Sequence, residues 1–195
     1  MSEPMHIAVA VETFDPAGGG AERSTAQIVE QLRRRGHRVT VLAGFGKPDD
    51  AETEMLAFGD RKLRNVWRLV GFSRWVTRRL TEGDFDTSLS VTTAAPAAVV
   101  QPRSGTMVET LDRNVAICRS SASRLGKRVS LQLNFKRQAL LRLERKTLHN
   151  PRVRRIVAVS DYVERQLERH YGIAGDRVEV EDAGPGGPPL LNPGP

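Results

Sequence analysis

The chain opens with a strand, a glycine turn, a helix and a second strand, and this order leaves few folds open. The apolar run HIAVAV at 6–11 predicts a buried strand, and VTVLA at 39–43 predicts another. The segment 21–35 between them has apolar residues on one helical face, and Gly36 is placed to end that helix. Such a unit joins parallel strands through a right-handed crossover. The opening residues therefore predict an α/β domain with a mainly parallel sheet.

The same alternation continues along the chain. Strands are predicted at 53–57, 86–91, 97–101, 155–159 and 178–180, and helices at 61–80, 109–120, 125–149 and 162–171. We expect a Rossmann-like domain of three layers over residues 1–180. The last 15 residues, 181–195, hold five prolines and are predicted to form a disordered tail rich in glycine and proline.

Positive charge is concentrated in two segments. The formal net charge is +7 and the sequence pI is about 10.3. Residues 61–80 hold seven basic side chains and no acidic one, and residues 103–148 hold eleven basic and three acidic side chains. Such segments favour phosphate-bearing partners, which include nucleic acid, anionic lipid and sugar phosphates. Nucleic acid is the least favoured, because aromatic residues are only 5% and no helix-turn-helix, zinc or RNA-binding motif is visible.

Several other classes are excluded by composition. Cys118 is the lone cysteine, which excludes an internal disulfide and a zinc finger. The four histidines have no ligand-like spacing, so no metal site is predicted. No run of 18 apolar residues and no secretory signal are visible, and a cytoplasmic location is therefore expected.

A glycine turn is the first candidate binding site. Gly18, Gly19 and Gly20 lie between the first strand and the first helix, where an open α/β sheet binds its ligands. Glycine lets the backbone approach a phosphate, and free N–H groups at a helix start favour anions. The turn matches neither a dinucleotide fingerprint nor a Walker loop. A merely flexible turn explains the three glycines equally well.

Two segments of the chain resemble glycosyltransferase family 4. The first combines Gly19-Gly20-Ala21-Glu22-Arg23 with Gly36-His37-Arg38-Val39, and the second is RRIVAVSDYVERQLERHYGIAGDRVEV at 154–180. Both match in order and separation, and the likeness covers about residues 5–180. It is nearest to the branch that includes lipopolysaccharide core glucosyltransferases. The resemblance implies one half of a GT-B fold, which has two Rossmann-like domains.

The resemblance also implies roles for particular residues. Gly18, Gly19, Gly20 and Arg23 would lie near the donor diphosphate, whereas Arg103, Ser104, Gly105 and Glu109 would contact the acceptor. Glu109 and Asp112 are the candidates to orient an acceptor hydroxyl, although acids at a helix start are also favoured by the helix dipole alone. His37 is expected to be structural. A nucleotide-sugar would be the co-substrate, and no further cofactor is implied.

In the family, a second domain of similar size holds most nucleotide-sugar contacts. Here Val180 is followed by EDAGPGG, and no such domain follows in this sequence. We therefore expect the acceptor-side half of a retaining enzyme that transfers a sugar to a glycan or lipid-linked acceptor, with little turnover by this chain alone. A separate chain carrying the second domain is a candidate partner.

The basic segments have two possible roles, because tryptophans occur among the arginines. Residues 61–80 contain Trp67 and Trp75, and such a helix either lies in a membrane interface or packs its aromatic rings on the sheet. Packing is favoured for 61–80, and docking on an anionic membrane is favoured for 119–148. The alternative function is a non-catalytic module that binds a membrane or an anionic glycan.

Overall fold

The structure is a computed structural model that describes residues 3–48, 50–59, 63, 65–103, 105–116 and 134–181. At residue 112 and at residues 114–116 the description covers the backbone alone. Within these ranges, strands and helices alternate. The strands are β1 (His6–Phe14), β2 (Arg38–Gly46), β3 (Glu54–Ala57), β4 (Thr87–Ser90), β5 (Val99–Val100), β6 (Arg155–Ala158) and β7 (Val178–Val180). The helices are α1 (Gly20–Arg34), α2 (Val66–Glu82), α3 (Met107–Ala116), α4 (Phe135–Leu148) and α5 (Asp161–Tyr171), with a 3₁₀ turn at Gly175–Arg177.

The seven strands form one sheet in the order β3-β2-β1-β4-β5-β6-β7. Every neighbouring pair is parallel. β1 lies between β2 and β4, and Ile7 is paired with Val39 on one side and with Thr87 on the other. The predicted α/β class and the parallel sheet are confirmed, since each strand is connected to the next through a helix or a crossover loop.

Alternate side chains of β1 enter two different cores, as the pleat of a strand requires. Val9 packs on one face of the sheet with Val29 of α1. Ala8 packs on the other face with Phe72 and Val76 of α2. A third cluster joins β6 to α4 and α5. Helices therefore cover both faces, and the predicted three layers are confirmed.

Helix α2 begins later than the sequence predicts. Its N-cap is Asn65, which has an extended backbone and accepts a hydrogen bond from the N–H of Trp67 at 2.8 Å. This cap stops the helix from extending to residue 61, and residues 61, 62 and 64 lie outside the described ranges. The two tryptophans also differ. Trp75 packs beside Phe72, whereas Trp67 is 75% exposed, so the expected packing of both rings is wrong for Trp67.

The other predicted helices are also shifted at their starts. The helix predicted at 109–120 begins at Met107, because the Thr106 hydroxyl and carbonyl accept hydrogen bonds from the following turn. The helix predicted at 125–149 does not run through Asn134, which is the extended N-cap of α4. Residues 117–133, which include the first half of the basic segment 119–148, lie outside the described ranges.

The ends of the strands differ from the prediction more than their positions do. β1 continues to Phe14, three residues beyond the predicted end, and this extension carries Glu12 into the sheet. β5 is only two residues long instead of five. Glu181 was expected to begin the tail, but its N–H donates to the carbonyl of Ala158 at 2.7 Å. The rest of the predicted tail, 182–195, lies outside the described residues.

Candidate functional site

A cavity of about 310 Å³ lies at the carboxyl ends of β1 and β4. The chain moves outward from β1 to β3 and then returns to the other side of β1 with β4, so the strand order reverses here. Open α/β sheets bind ligands at such a switch point. The volume is at the lower end of the usual range for small-molecule sites. The cavity is lined by Val11, Glu12, Thr13, Ala21, Glu22, Thr25, Val91, Thr92, Thr93, Pro102, Arg103, Gly105 and Met107.

Glu12 supplies a carboxylate that is fixed by a residue in the loop after β4. The hydroxyl of Thr92 donates to Oε1 of Glu12 at 2.6 Å and accepts from the N–H of Ala94 at 3.1 Å. This chain of two bonds orients the carboxylate, and within the described residues Oε2 has no hydrogen bond. Glu12 is therefore a pre-oriented acceptor for a ligand hydroxyl. It is a candidate that the sequence analysis missed.

The N-terminus of α1 forms a second wall of the cavity. Gly19 is its N-cap and, lacking a side chain, leaves the first-turn N–H groups without a side-chain cap. A Cβ added at Gly19 would lie 3.1 Å from Oε2 of Glu22, and one at Gly18 would lie 3.0 Å from the carbonyl oxygen of Asp15. The turn is tight at Gly18 and Gly19 and open at Gly20. Uncapped N–H groups of this kind attract anions, although the Glu22 carboxylate already lies beside them.

Arg23 is not brought to this cavity. It lines a separate one of about 630 Å³, whose other lining residues include Phe14, Pro16 and Gln27. The glycines at 18–20 are not among the lining residues of either cavity. The expected role of Arg23 near a diphosphate stays a prediction.

Arg103 is already engaged with the protein. Its Nη1 donates to the carbonyl of Ala21 at 2.7 Å and to the hydroxyl of Thr25 at 2.9 Å. Its Nε donates to Gln101 at 3.4 Å. Burial lowers the pKa of the Arg103 guanidinium from its usual value. Arg103 thus ties the loop after β5 to the start of α1 and forms part of the cavity wall.

The loop that follows Arg103 is held from outside the cavity. Gly105 has a φ of +71°, and a Cβ there would lie 2.8 Å from Oε1 of Gln166, so glycine is required twice over. The Thr106 N–H and hydroxyl donate to the same Gln166 oxygen at 2.9 and 3.1 Å. The Met107 N–H donates to both carboxylate oxygens of Glu144 at 3.1 and 3.0 Å. These α3 amides are therefore not available to a ligand. Ser104 lies outside the described residues.

Glu109 lies between α3 and α5 and does not line the cavity. Its carboxylate accepts from the Tyr162 hydroxyl at 2.5 Å and is hydrogen-bonded to Nε2 of His170 at 3.0 Å. Arg113 lies 3.5 Å away. The hydrogen bond from Tyr162, and then that from His170, lowers the pKa of Glu109. This arrangement joins two helices, and its role toward an acceptor stays a prediction. The side chain of Asp112 lies outside the description.

His37 has the structural role that was expected. Its ring is buried, and Nδ1 accepts a hydrogen bond from the N–H of Met5 at 3.2 Å. The bond joins the segment before β1 to the start of β2. In the part of the chain that the structure describes, no group of three or more His, Cys, Asp or Glu residues could hold a metal ion.

A third cavity of about 610 Å³ lies between α2 and α4, and we call it the α2–α4 groove. It is lined by Trp67, Val70, Ser73, Arg74, Thr77, Arg78, Pro96, Ala139, Arg142, Leu143, Lys146, Thr147 and Asn150. The lining includes four cations and no acidic residue. Phe135, at the start of α4, is 88% exposed. None of the described helices is long and apolar enough to cross a bilayer.

The sequence matches the family described as Glycosyltransferase Family 4 over residues 18–180. No curated protein sequence matches significantly. Among solved structures, the chain is similar to WaaG, a glycosyltransferase involved in lipopolysaccharide biosynthesis. The TM-score is 0.70 at 18% identity, with 89% of this chain and 44% of that chain covered. It is also similar to sucrose-phosphate synthase from Thermosynechococcus elongatus, with a TM-score of 0.55 at 11% identity, covering 90% and 47%.

These structural likenesses show the fold, and the chain spans less than half the length of both solved structures. The seven-stranded parallel sheet corresponds to one Rossmann-like half of a GT-B glycosyltransferase.

Proposed function

This chain belongs to glycosyltransferase family 4, and from that premise we propose that it forms the acceptor-side half of a retaining glycosyltransferase. The complete enzyme would transfer a sugar from a nucleotide-sugar to a glycan or a lipid-linked acceptor. The observation that carries the proposal is the cavity at the switch point of the sheet, which joins a pre-oriented carboxylate to an uncapped helix N-terminus. Turnover would need a second, donor-binding domain, and a cytoplasmic location would give access to nucleotide-sugars.

In this proposal, the two walls of the cavity have different tasks. Glu12 accepts a hydrogen bond from an acceptor hydroxyl, and Thr92 keeps its carboxylate in place. The N–H groups at the start of α1, where Ala21 and Glu22 line the cavity, face the departing diphosphate and stabilise its charge. Holding the acceptor oxygen near the activated sugar supplies most of the rate gain expected from such a site. Arg103 keeps the start of α1 against the cavity.

Replacing Glu22 with Gln should strengthen the binding of inorganic diphosphate at the start of α1. The carboxylate lies beside Gly19 and repels an anion there, so its removal should raise affinity about two- to fivefold, which corresponds to about 0.5–1 kcal/mol. Diphosphate titration at low ionic strength, followed by the amide NMR signals of residues 19–22, measures this. Glu30→Gln on the same helix removes the same charge two turns away and should change nothing. If diphosphate moves no amide signal in the first turn of α1, the proposed donor contact is wrong.

We also propose that the α2–α4 groove docks on an anionic membrane surface. Its lining holds four cations and no acidic residue, and of these Arg78 is paired with Glu82 outside the lining. Trp67 and Phe135 present exposed rings nearby. Amphipathic aromatic rings and basic side chains are what an anionic lipid interface binds. Docking would bring a lipid-linked acceptor to the enzyme. The alternative, a non-catalytic module for membranes or anionic glycans, predicts the same docking without sugar transfer in any assembly.

The double substitution Arg74→Gln and Arg142→Gln should weaken binding to vesicles that contain phosphatidylglycerol. Each basic residue near such a surface contributes about 1 kcal/mol, so the loss should be about 25-fold in cosedimentation. Arg34→Gln with Arg38→Gln removes the same charge outside the groove and should have a much smaller effect. Equal losses from the two pairs, or equal binding to purely zwitterionic vesicles, would contradict docking through the groove.

A further inference from the structure

A buried carboxylate lies directly behind the cavity. Glu144 belongs to α4 and is 2% exposed. Its hydrogen-bond partners are the Tyr171 hydroxyl and the N–H of Met107, and the Thr93 side chain and the His170 ring also lie close enough to act on it. Burial raises the pKa of the Glu144 carboxyl, with the hydrogen bonds acting in the opposite direction. Burying a carboxylate away from water costs free energy, and the hydrogen bonds to these partners offset that cost.

Two of these residues line the cavity. Thr93 lies in the loop after β4, and Met107 is the first residue of α3. Another, Tyr171, is the last residue of α5. A single side chain from α4 therefore contacts the loop after β4, the start of α3 and the end of α5. Glu144 itself is not among the residues that line the cavity.

Gln166 holds the residue before Met107 in a similar way. It reaches from α5 and accepts from the N–H and hydroxyl of Thr106, next to Met107. The loop at 105–107 is thus fixed by two buried acceptors on two different helices. Since those acceptors occupy the amides at the start of α3, the loop presents its other surface to the cavity.

We propose that Glu144 is a positioning residue for the cavity, acting through Thr93 and Met107 without contacting a ligand. Without it, the first turn of α3 loses an acceptor and the loop after β4 loses a side-chain contact. These two segments of the cavity lining then move independently. The importance of this positioning for sugar transfer rests on the proposed function, whereas the positioning itself does not.

Amide hydrogen exchange of the chain without ligand tests the proposal. Glu144→Ala should speed exchange at Met107 about tenfold, because a buried N–H loses its acceptor, and also at Ala94 in the loop after β4, because that loop opens locally. Glu144→Gln should return both rates to near the wild-type value, since an amide oxygen can accept from Met107 and Tyr171. Leu148→Ala on the same helix is the control: Leu148 is fully buried, but its apolar side chain offers Met107 no hydrogen-bond acceptor.

The comparison is made after correcting each rate for the variant's global stability. If Leu148→Ala speeds exchange at Met107 and Ala94 as much as Glu144→Ala does, Glu144 contributes stability alone and the proposal is overturned. Failure of Glu144→Gln to restore the rates overturns it too. Should Glu144→Ala not fold, Glu144→Asp carries the same test, because it keeps the charge but withdraws the oxygens from Met107. No sugar or nucleotide is present, so a failed glycosyltransferase assignment would leave the result unchanged.

Discussion

Phe72→Ala should lower the free energy of unfolding by about 3–5 kcal/mol, which is the usual cost of emptying a fully buried aromatic site. Phe72 is completely buried under the sheet, with its ring 6.2 Å from those of Phe58 and Trp75. Urea unfolding followed by circular dichroism measures the change. Trp67→Ala, five residues earlier on the same helix, should change stability by less than about 0.5 kcal/mol because Trp67 is 75% exposed.

This pair of variants also bears on the α2–α4 groove. A loss at Trp67 as large as that at Phe72 would mean that Trp67 packs in the fold rather than in the groove. The proposed membrane surface would then lack one of its two exposed rings. A small loss leaves Trp67 free to be tested in vesicle binding without a stability artefact.

Gly46→Ala should cost about 3 kcal/mol or more, combining backbone strain with a steric clash. Gly46 ends β2 with a φ of +144°, and a Cβ there would overlap the carbonyl oxygen of Phe14, its register partner on β1. The same carbonyl accepts the N–H of Lys47 at 3.0 Å, and this bond would be displaced. Thermal unfolding measures the loss as a lower Tm.

Gly20→Ala is the matched control for Gly46→Ala. A Cβ at Gly20 would meet no atom within 4 Å, so stability should stay within about 0.5 kcal/mol of the wild type. A large loss at Gly20 or none at Gly46 would contradict the geometry of these two turns. Because Gly20→Ala should fold normally, any loss of diphosphate binding by this variant reports on the α1 N-terminus itself.

Much of the fold was predictable because its signals are local. The apolar runs that became β1, β2 and β6, and the glycine after α1, are visible within a few residues of sequence. A strand–helix–strand order then implies parallel pairing. Helix starts were harder, since the caps Asn65 and Asn134 are single side chains within otherwise helical patterns.

The candidate site was less predictable because its contacts join distant parts of the chain. Glu12 is held by Thr92, 80 residues away, and Arg103 is bonded to Ala21 across 82 residues. No spacing within one segment indicates such pairs. One signal was available for Glu12: it is a charged residue at the carboxyl end of an apolar strand that leads into a glycine turn. Glu109 and Glu144 show the opposite case. Both are carboxylates that could bind a ligand, but hydrogen bonds to neighbouring helices already engage them.

The position of β1 in the middle of the sheet has a consequence for co-translational folding. Ile7 pairs first with Val39 and only later with Thr87, which is 80 residues further along. At about 5–20 residues per second, β1 waits about 4–16 s after its own synthesis for its second neighbour. During that interval one edge of an apolar strand is unpaired, and nascent chains are then most exposed to aggregation and most in need of chaperones.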